Sequence, residues 1–440
     1  MVQVLLRLRR LFSETNSALL ALPLLLPLAP TAHAQLLDQL ITTDIPGTAN
    51  EAGVTVLSRR RPDYDSLGMR FGSFLLHPEL RESVGYDDNI LGTKSGSGST
   101  LVETNAVLRA DYDHSDATAR AVVSVDDFRF VSRNSQSYTN WTASVGGAYT
   151  IDRDQLSASY DHLTLNQTPR DLEAPQLGSP LEYRIDVFRA AYKAMFNRWY
   201  LQPGISLSRF DYDNGGVNGA RYLQTFRNRD VAMPSLTVGY ELAPRRNVVL
   251  VVRDAVADYS NAAQLQAKRN FNDASVLAGI DYDADSTWRF RVLAGYENRS
   301  FRSGQYKTIQ APTVETAVIW NPNGLTTLTG LLTRHVQDSA DETVAAFTET
   351  ALIARIDHEL QRNILLQGRA GIYQDDYSQG HGSQSLYRVG ASATWLINRN
   401  LQLVGSYDFT GRRSGGSTSQ GVTGPSFDSN RFMLTLRVAL

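Results

Sequence analysis

Apolar side chains recur at every second position through most of this chain. In the closing segment from Asn430 to Leu440, Phe432, Leu434, Leu436, Val438 and Leu440 fall on one side of an extended backbone. Arg431, Met433, Thr435, Arg437 and Ala439 fall on the other. Period two predicts a strand whose two faces meet different surroundings. Trp288 to Glu297 repeats it, with Trp288, Phe290, Val292, Ala294 and Tyr296 alternating with Arg289, Arg291, Leu293, Gly295 and Glu297. In Val102 to Tyr112, Val102, Ala106, Leu108, Ala110 and Tyr112 oppose Glu103, Asn105, Arg109 and Asp111, and Tyr387 to Trp395 carries the same alternation.

From about residue 69 to the C-terminus this pattern predicts about eighteen strands (roughly 16 to 20), joined alternately by short turns and longer polar loops. The short turns are expected near residues 113–116, 151–154, 197–198, 243–247, 284–287, 321–324, 361–363 and 397–400. The longer connections are rich in small and polar residues, as in Thr93 to Thr100, Asp213 to Ala220 and Gly411 to Gly424. Aromatics collect at strand ends. Tyr112, Tyr149, Trp199, Tyr240, Tyr282, Trp288, Trp320 and Trp395 flank the short turns, and Tyr86, Phe130, Tyr212, Tyr259, Phe301 and Phe409 lie near the loops. Two girdles at the level of lipid headgroups follow, whereas a soluble sandwich or propeller would hold most of its aromatics mid-strand. The expected fold is therefore all-β, an antiparallel up-and-down transmembrane barrel over residues 69–440.

The N-terminus reads differently. Arg7, Arg9 and Arg10 precede an apolar stretch from Ala18 to Pro30 and then Ala32-His33-Ala34. This order of basic, apolar and small residues predicts a signal peptide over residues 1–34. Residues 35–68 lack sustained alternation and carry Arg59, Arg60 and Arg61 before Pro62, which predicts a periplasmic N-terminal tail that folds against the barrel mouth or into the lumen, or else serves only as a leader; Leu36, Leu37, Leu40 and Ile41 have the spacing of a short amphipathic helix. No later stretch holds the roughly 18 apolar residues of a membrane helix, so passage through a bilayer falls to the strands.

Composition narrows the chemistry further. The chain has no cysteine, which removes disulfides and thiolate chemistry. Without residues 1–34, 40 basic residues face 44 acidic ones, so no polybasic field for nucleic acid exists. The register places Glu103, Arg109, Asp111, Arg120, Arg289, Arg291, Glu297, Arg355, Arg369 and Arg388 toward the lumen, together with Asp126, Asp186, Glu315, Glu349 and Asp357. Such charges could form a selectivity filter, or pair across strands and merely brace the wall. By the same register an arginine at Leu434 should be costly in lipid, and one at Thr435 mild.

Asp87-Asp88-Asn89 offers oxygens for a hard cation but lacks the alternating ligand spacing of a calcium loop, so an Asx-stabilised turn is the expectation. The histidines beyond residue 34 (His77, His114, His162, His335, His358 and His381) are scattered and form no Gly-x-Ser-x-Gly elbow or His-Glu-x-x-His helix. Asp375 and Asp376 near His381 come nearest to an acid pair with a base, and a solvated loop accounts for them. No enzyme, metal or cofactor is expected.

The run Gly72-Ser73-Phe74-Leu75-Leu76-His77-Pro78, then Gly85-Tyr86-Asp87-Asp88-Asn89-Ile90, with Arg61-Pro62-Asp63-Tyr64 before it, resembles the start of the second type of outer-membrane β-barrel porins. That resemblance implies a channel in the outer membrane of a Gram-negative cell and an association with exopolysaccharide export. The implied partners are outer-membrane lipid, the barrel assembly machinery, polysaccharide or small solutes, and periplasmic export components. A general small-solute porin is the alternative, followed by a non-conducting surface barrel or an outer-membrane hydrolase. The final residue, Leu440, departs from the terminal aromatic usual in such barrels.

Overall fold

A computed structural model of the chain describes residues 54–174, 177–217, 220–263, 266–378, 382–415 and 424–440. The expected signal peptide and the helical spacing around Leu36 lie outside the described residues, as does His381.

A short strand β1 (Met69–Phe71) turns through Gly72, whose φ of +60° suits a residue without Cβ, into β2 (Phe74–Asp87). There follow β3 (Ser99–Asp113), β4 (Ala117–Phe130), β5 (Tyr138–Ile151), β6 (Asp154–Gln167), β7 (Leu181–Phe196) and β8 (Trp199–Tyr212). A small hairpin, β9 (Gly215–Val217) and β10 (Ala220–Tyr222), sits within the next loop. The wall then continues with β11 (Arg229–Ala243), β12 (Arg246–Tyr259), β13 (Phe271–Tyr282), β14 (Trp288–Phe301), β15 (Ile309–Asn323) and β16 (Thr326–Asp338). It is completed by β17 (Ala346–Gln361), β18 (Ile364–Tyr377), β19 (Ser383–Leu396), β20 (Leu401–Gly415) and β21 (Phe427–Ala439).

The fold is a closed antiparallel barrel of eighteen strands, β2–β8 and β11–β21, each paired with both of its neighbours. Closure falls between first and last: Glu79 stands opposite Ala439 and Asp87 opposite Arg431. It removes every free strand edge, the condition for placing sheet in hydrocarbon. The eight short connections alternate with nine longer ones, so the barrel has a turn end and a loop end. Asp152 and Asn197 take left-handed φ of +55° and +57° in two of the tight turns, a conformation short polar side chains tolerate.

One face of the strands is exposed and apolar. On β21, Phe432, Leu434, Leu436 and Val438 are exposed while Thr435 and Ala439 are buried. Aromatic pairs mark the turn end, including Trp288 with Trp320, stacked at 5.1 Å, and Trp199 with Tyr240 at 4.7 Å. A 14-residue strand such as β2 rises roughly 45 Å, or about 35 Å along a barrel axis at the usual tilt of ~40°, against an apolar band of ~25 Å. The surplus projects at the loop end. There Arg209 pairs with Asp230 and Arg302 with Asp258, all four exposed.

That projection corrects three expectations. Phe130, Tyr212 and Tyr259 are buried on the inner face, and Phe301 packs against the buried ring of Phe271; they are a core beneath inward-folded loops, not a lipid girdle. The exposed aromatics toward the loop end are Tyr86, Trp141, Tyr160, Phe188, Tyr296, Tyr387 and Phe432. Asp186 faces outward, held by the Tyr160 hydroxyl and the His162 ring. Thr435 is buried and donates to the Ser83 hydroxyl at 2.9 Å, so an arginine there would be crowded rather than mild.

Residues 54–68 lie across the turn end. The Val56 amide donates to Thr327 Oγ1 at 3.0 Å, Arg61 pairs with Glu359 at 2.9 Å, and Arg399 donates to the Pro62 carbonyl at 2.9 Å. Arg59 also pairs with Glu359. This segment thus ties the start of β2 to the turn ends of β16, β17 and β19.

Candidate functional site

Toward the loop end the charged side chains of the inner face are dry and locked together. Arg299 pairs with Asp273 at 2.7 Å and Asp338 at 2.8 Å, and Arg229 reaches the same Asp338 at 3.0 Å from five strands away. Aromatic rings fill the spaces, with the Arg229 guanidinium 4.0 Å from the centre of the Phe210 ring and Arg299 4.1 Å from that of Phe271. Inward-folded loops complete this layer: Arg269 donates to the Ser339 carbonyl at 2.6 Å and to that of Asp341.

The ten charged residues selected by register fall into two groups. Arg109 and Arg120 both pair with Asp111 between β3 and β4, and all three are buried. Glu297 is buried beside Arg299 at 3.8 Å and His335 at 3.6 Å, and Glu103 is half-buried on β3. These groups brace the wall. Arg289 and Arg291, on β14 near the turn end, keep 36% and 39% of their side-chain exposure, and Arg291 lies 3.5 Å from Asp281. Arg355 sits 3.2 Å from Asp357. Arg369 reaches over β19 to Asp408 on β20, a path open only because Gly390 has no side chain: a Cβ there would meet Asp408 Oδ1 at 2.3 Å. Register identifies neither the ion pair of Arg253 with Glu315, which crosses from β12 to β15, nor the role of Arg388.

Arg388 holds the central feature of the lumen, an arch formed by the loop after β6. Residues 168–174 leave the wall at β6 and meet it again on β17, β18 and β19, seven to nine strands away in a ring of eighteen and so on the far side. Each residue from Arg170 to Glu173 docks differently. Arg170 pairs with Asp87 on β2. Asp171 lies 3.7 Å from Arg388, and its carbonyl accepts from Arg412 at 3.2 Å. Leu172 is fully buried among Ala351, Tyr373 and Leu386, with Ile353 beside them. Glu173 accepts hydrogen bonds from Ser339 Oγ at 2.9 Å, from the Ala340 amide at 2.6 Å and from the Tyr377 hydroxyl.

The arch is over-determined. Arg412, fully buried on β20, also donates to the Pro169 carbonyl at 3.1 Å. Gln167 donates to the Glu173 carbonyl at 3.0 Å and is itself held by Arg227 at 3.1 Å. Glu173 adopts a φ of +54°, a left-handed conformation costing a non-glycine residue about 1 to 3 kcal/mol and kept only where the surroundings enforce it. Burial raises the Glu173 carboxyl above its ordinary range, and its three donors offset this only in part.

The Asp87-Asp88-Asn89 motif belongs to the same construction. Asp87 accepts the Asn89 amide at 2.9 Å, the expected Asx turn, and also binds Arg431 at 2.8 Å. Asp88 accepts the amide and the side chain of Asn430, both at 2.7 Å. The motif thus fastens β2 to β21 at the barrel seam and anchors one foot of the arch.

The family model described as Putative beta-barrel porin 2 matches residues 61–440. No curated protein matches the chain. Among solved structures, OccAB3 of Acinetobacter baumannii is similar with a TM-score of 0.43 and 7% identity, over 84% of this chain and 100% of that one. The outer membrane protein OpdK of Pseudomonas aeruginosa is similar at 0.40 and 11%, over 83% and 99%. A BenF-like porin from Pseudomonas fluorescens Pf-5 is similar at 0.44 and 9%, over 84% and 99%.

Proposed function

We propose, from the premise that this chain belongs to the Putative beta-barrel porin 2 family, that its lumen passes small hydrophilic solutes selected by charge. The chain is an outer-membrane β-barrel of porin type; what crosses it is our own reading. The loop end would face the cell exterior, and the turn end, with residues 54–68, the periplasm. The arch carries the reading. A segment docked on opposite walls divides the lumen, and a divided lumen suits solutes of a few ångströms better than a hydrated polymer chain.

The charges near the turn end supply the filter. Arg289 and Arg291 keep access to water there, and fixed charges of this kind bias the local concentration of ions. The buried pairs at the loop end are already neutralised and contribute rigidity. Export of exopolysaccharide, which the family resemblance suggests, would need the arch to leave its seat.

Single-channel recording and liposome swelling with sugars of increasing size test this. The expected result is a stepwise conductance with a sharp cut-off at small oligosaccharides. Absence of conductance, or free passage of long polymers with the arch docked, would overturn it. Loss of secreted polysaccharide on deletion of the gene would favour the export reading instead.

A further inference from the structure

We propose that residues 54–68 form a releasable strap that narrows the turn-end exit of the lumen, clasped to the inner wall by Arg59 and Arg61 on Glu359. That the strap restricts a flow rests on the channel reading above. Its docking on the inner wall does not.

The strap's partners point inward. Thr327, which accepts the Val56 amide at 3.0 Å, stands opposite Asp357 in the ladder of β16 and β17, and both are buried. Glu359 has the parity of Asp357 on the same strand. At the other foot Gly68 takes a φ of +74° and lies so close to the His77 ring that a Cβ would meet it at 2.7 Å. His77 stands opposite Arg109 in the ladder of β2 and β3, and so on the inner face as well. β2 and β16 are six intervals apart in the ring of eighteen, so the feet of the strap subtend a third of the mouth. One tie lies between them, where Arg399 in the turn between β19 and β20 donates to the Pro62 carbonyl at 2.9 Å.

Arg61 is the hub of the clasp. It donates to Glu359 at 2.9 Å and to the carbonyls of Val56 at 2.5 Å and Arg59 at 3.3 Å, so one side chain closes the loop of residues 56–61 and fixes it to β17. Arg59 reaches the same Glu359 oxygen and the Gly324 carbonyl. These contacts are charge-assisted and therefore strong individually only where water is excluded.

Water is not excluded here. The Arg59 side chain keeps 32% of its exposure, and ion pairs open to solvent are weak and screened by salt. Apolar burial adds little: Val56 is the one buried apolar side chain of residues 54–68, while Val54 and Leu67 are 59% and 69% exposed. The arch is wedged by the fully buried Leu172, and the strap has no equivalent. A segment seated on the inner wall and held chiefly through one carboxylate comes away when that carboxylate is removed or screened.

The chain has no cysteine, so Val56→Cys places a single thiol at the buried face of the strap. A neutral thiol reagent then reads its exposure in the full-length protein. Labelling should be slow, and about tenfold faster once Glu359→Gln removes the shared acceptor of both arginines. It should also quicken when salt is raised from about 0.1 to about 1 M, where the screening length falls from about 10 to about 3 Å. Unitary conductance, recorded in parallel without the cysteine, should be larger in Glu359→Gln than in wild type and larger still after deletion of residues 37–66. Arg61→Gln serves if either variant fails to give a folded, heat-modifiable band on a gel. Labelling as fast in wild type as in Glu359→Gln, or a folded deletion that conducts like wild type, overturns the strap. Release of the thiol by Glu359→Gln with no conductance in any form of the protein supports the clasp and counts against the channel.

Discussion

Replacing Leu172 with alanine removes the apolar wedge of the arch and leaves its polar anchors in place. The side chain is fully buried among residues of three strands on the far wall. Losing three carbons costs about 2.4 kcal/mol at ~0.8 kcal/mol per buried methylene. A cavity that the rigid wall cannot close adds to this, within the ~2 to 5 kcal/mol usual for such substitutions. At about 3 kcal/mol the undocked population rises roughly 150-fold. Amide exchange of residues 168–174 should accelerate by that order while strands β17 to β19 keep their protection, and channel openings should become more frequent. Unchanged exchange would mean that Leu172 does not hold the arch. A matching loss of protection throughout the barrel would mean that the arch is no separate unit and the reasoning fails.

Other substitutions test the remaining parts. Leu434→Arg, on the exposed lipid face, should cost about 2 to 4 kcal/mol in denaturant unfolding from vesicles, and a negligible loss would contradict the register. Asp111→Asn leaves Arg109 and Arg120 buried without their carboxylate and should lower stability by ~3 to 5 kcal/mol, seen as a lower temperature for the heat-induced gel shift. Asp230→Ala breaks only an exposed pair with Arg209 and should stay within about 1 kcal/mol of wild type. Arg289→Glu/Arg291→Glu should move the zero-current potential in a salt gradient toward cation selectivity; an unchanged potential would rule these two out as the filter.

Much of the fold is legible in the order of residues because lipid and water impose opposite demands on successive positions of a strand. Alternation locates the strands, polar interruptions locate the turns, and Trp288, Trp320 and Trp395 mark one membrane boundary. The turn expected at 321–324 lies one or two residues further on, between Asn323 and Thr326, because the register shifts between Trp320 and Asn323 and lengthens the strand. Parity also carried a signal that position near a loop obscured. Phe128 and Phe130 share the parity of Arg120 rather than that of Val123 and Val125, which marks them as inward.

What the sequence by itself determined is the wall: its strands, their order and the face each side chain takes, since these follow from neighbours one or two positions apart. Only the tertiary structure decided which inward residues stay wet and what crosses the lumen. Arg109 and Arg291 have the same inward parity, yet one is sealed in an ion pair and the other reaches water. Likewise Arg170-Asp171-Leu172-Glu173 reads as an ordinary polar loop, and its partners Asp87, Arg388, Leu386 and Tyr377 are brought to it only when the barrel closes. Local pattern encodes the contrast between lipid and not-lipid; it cannot distinguish water from the far wall.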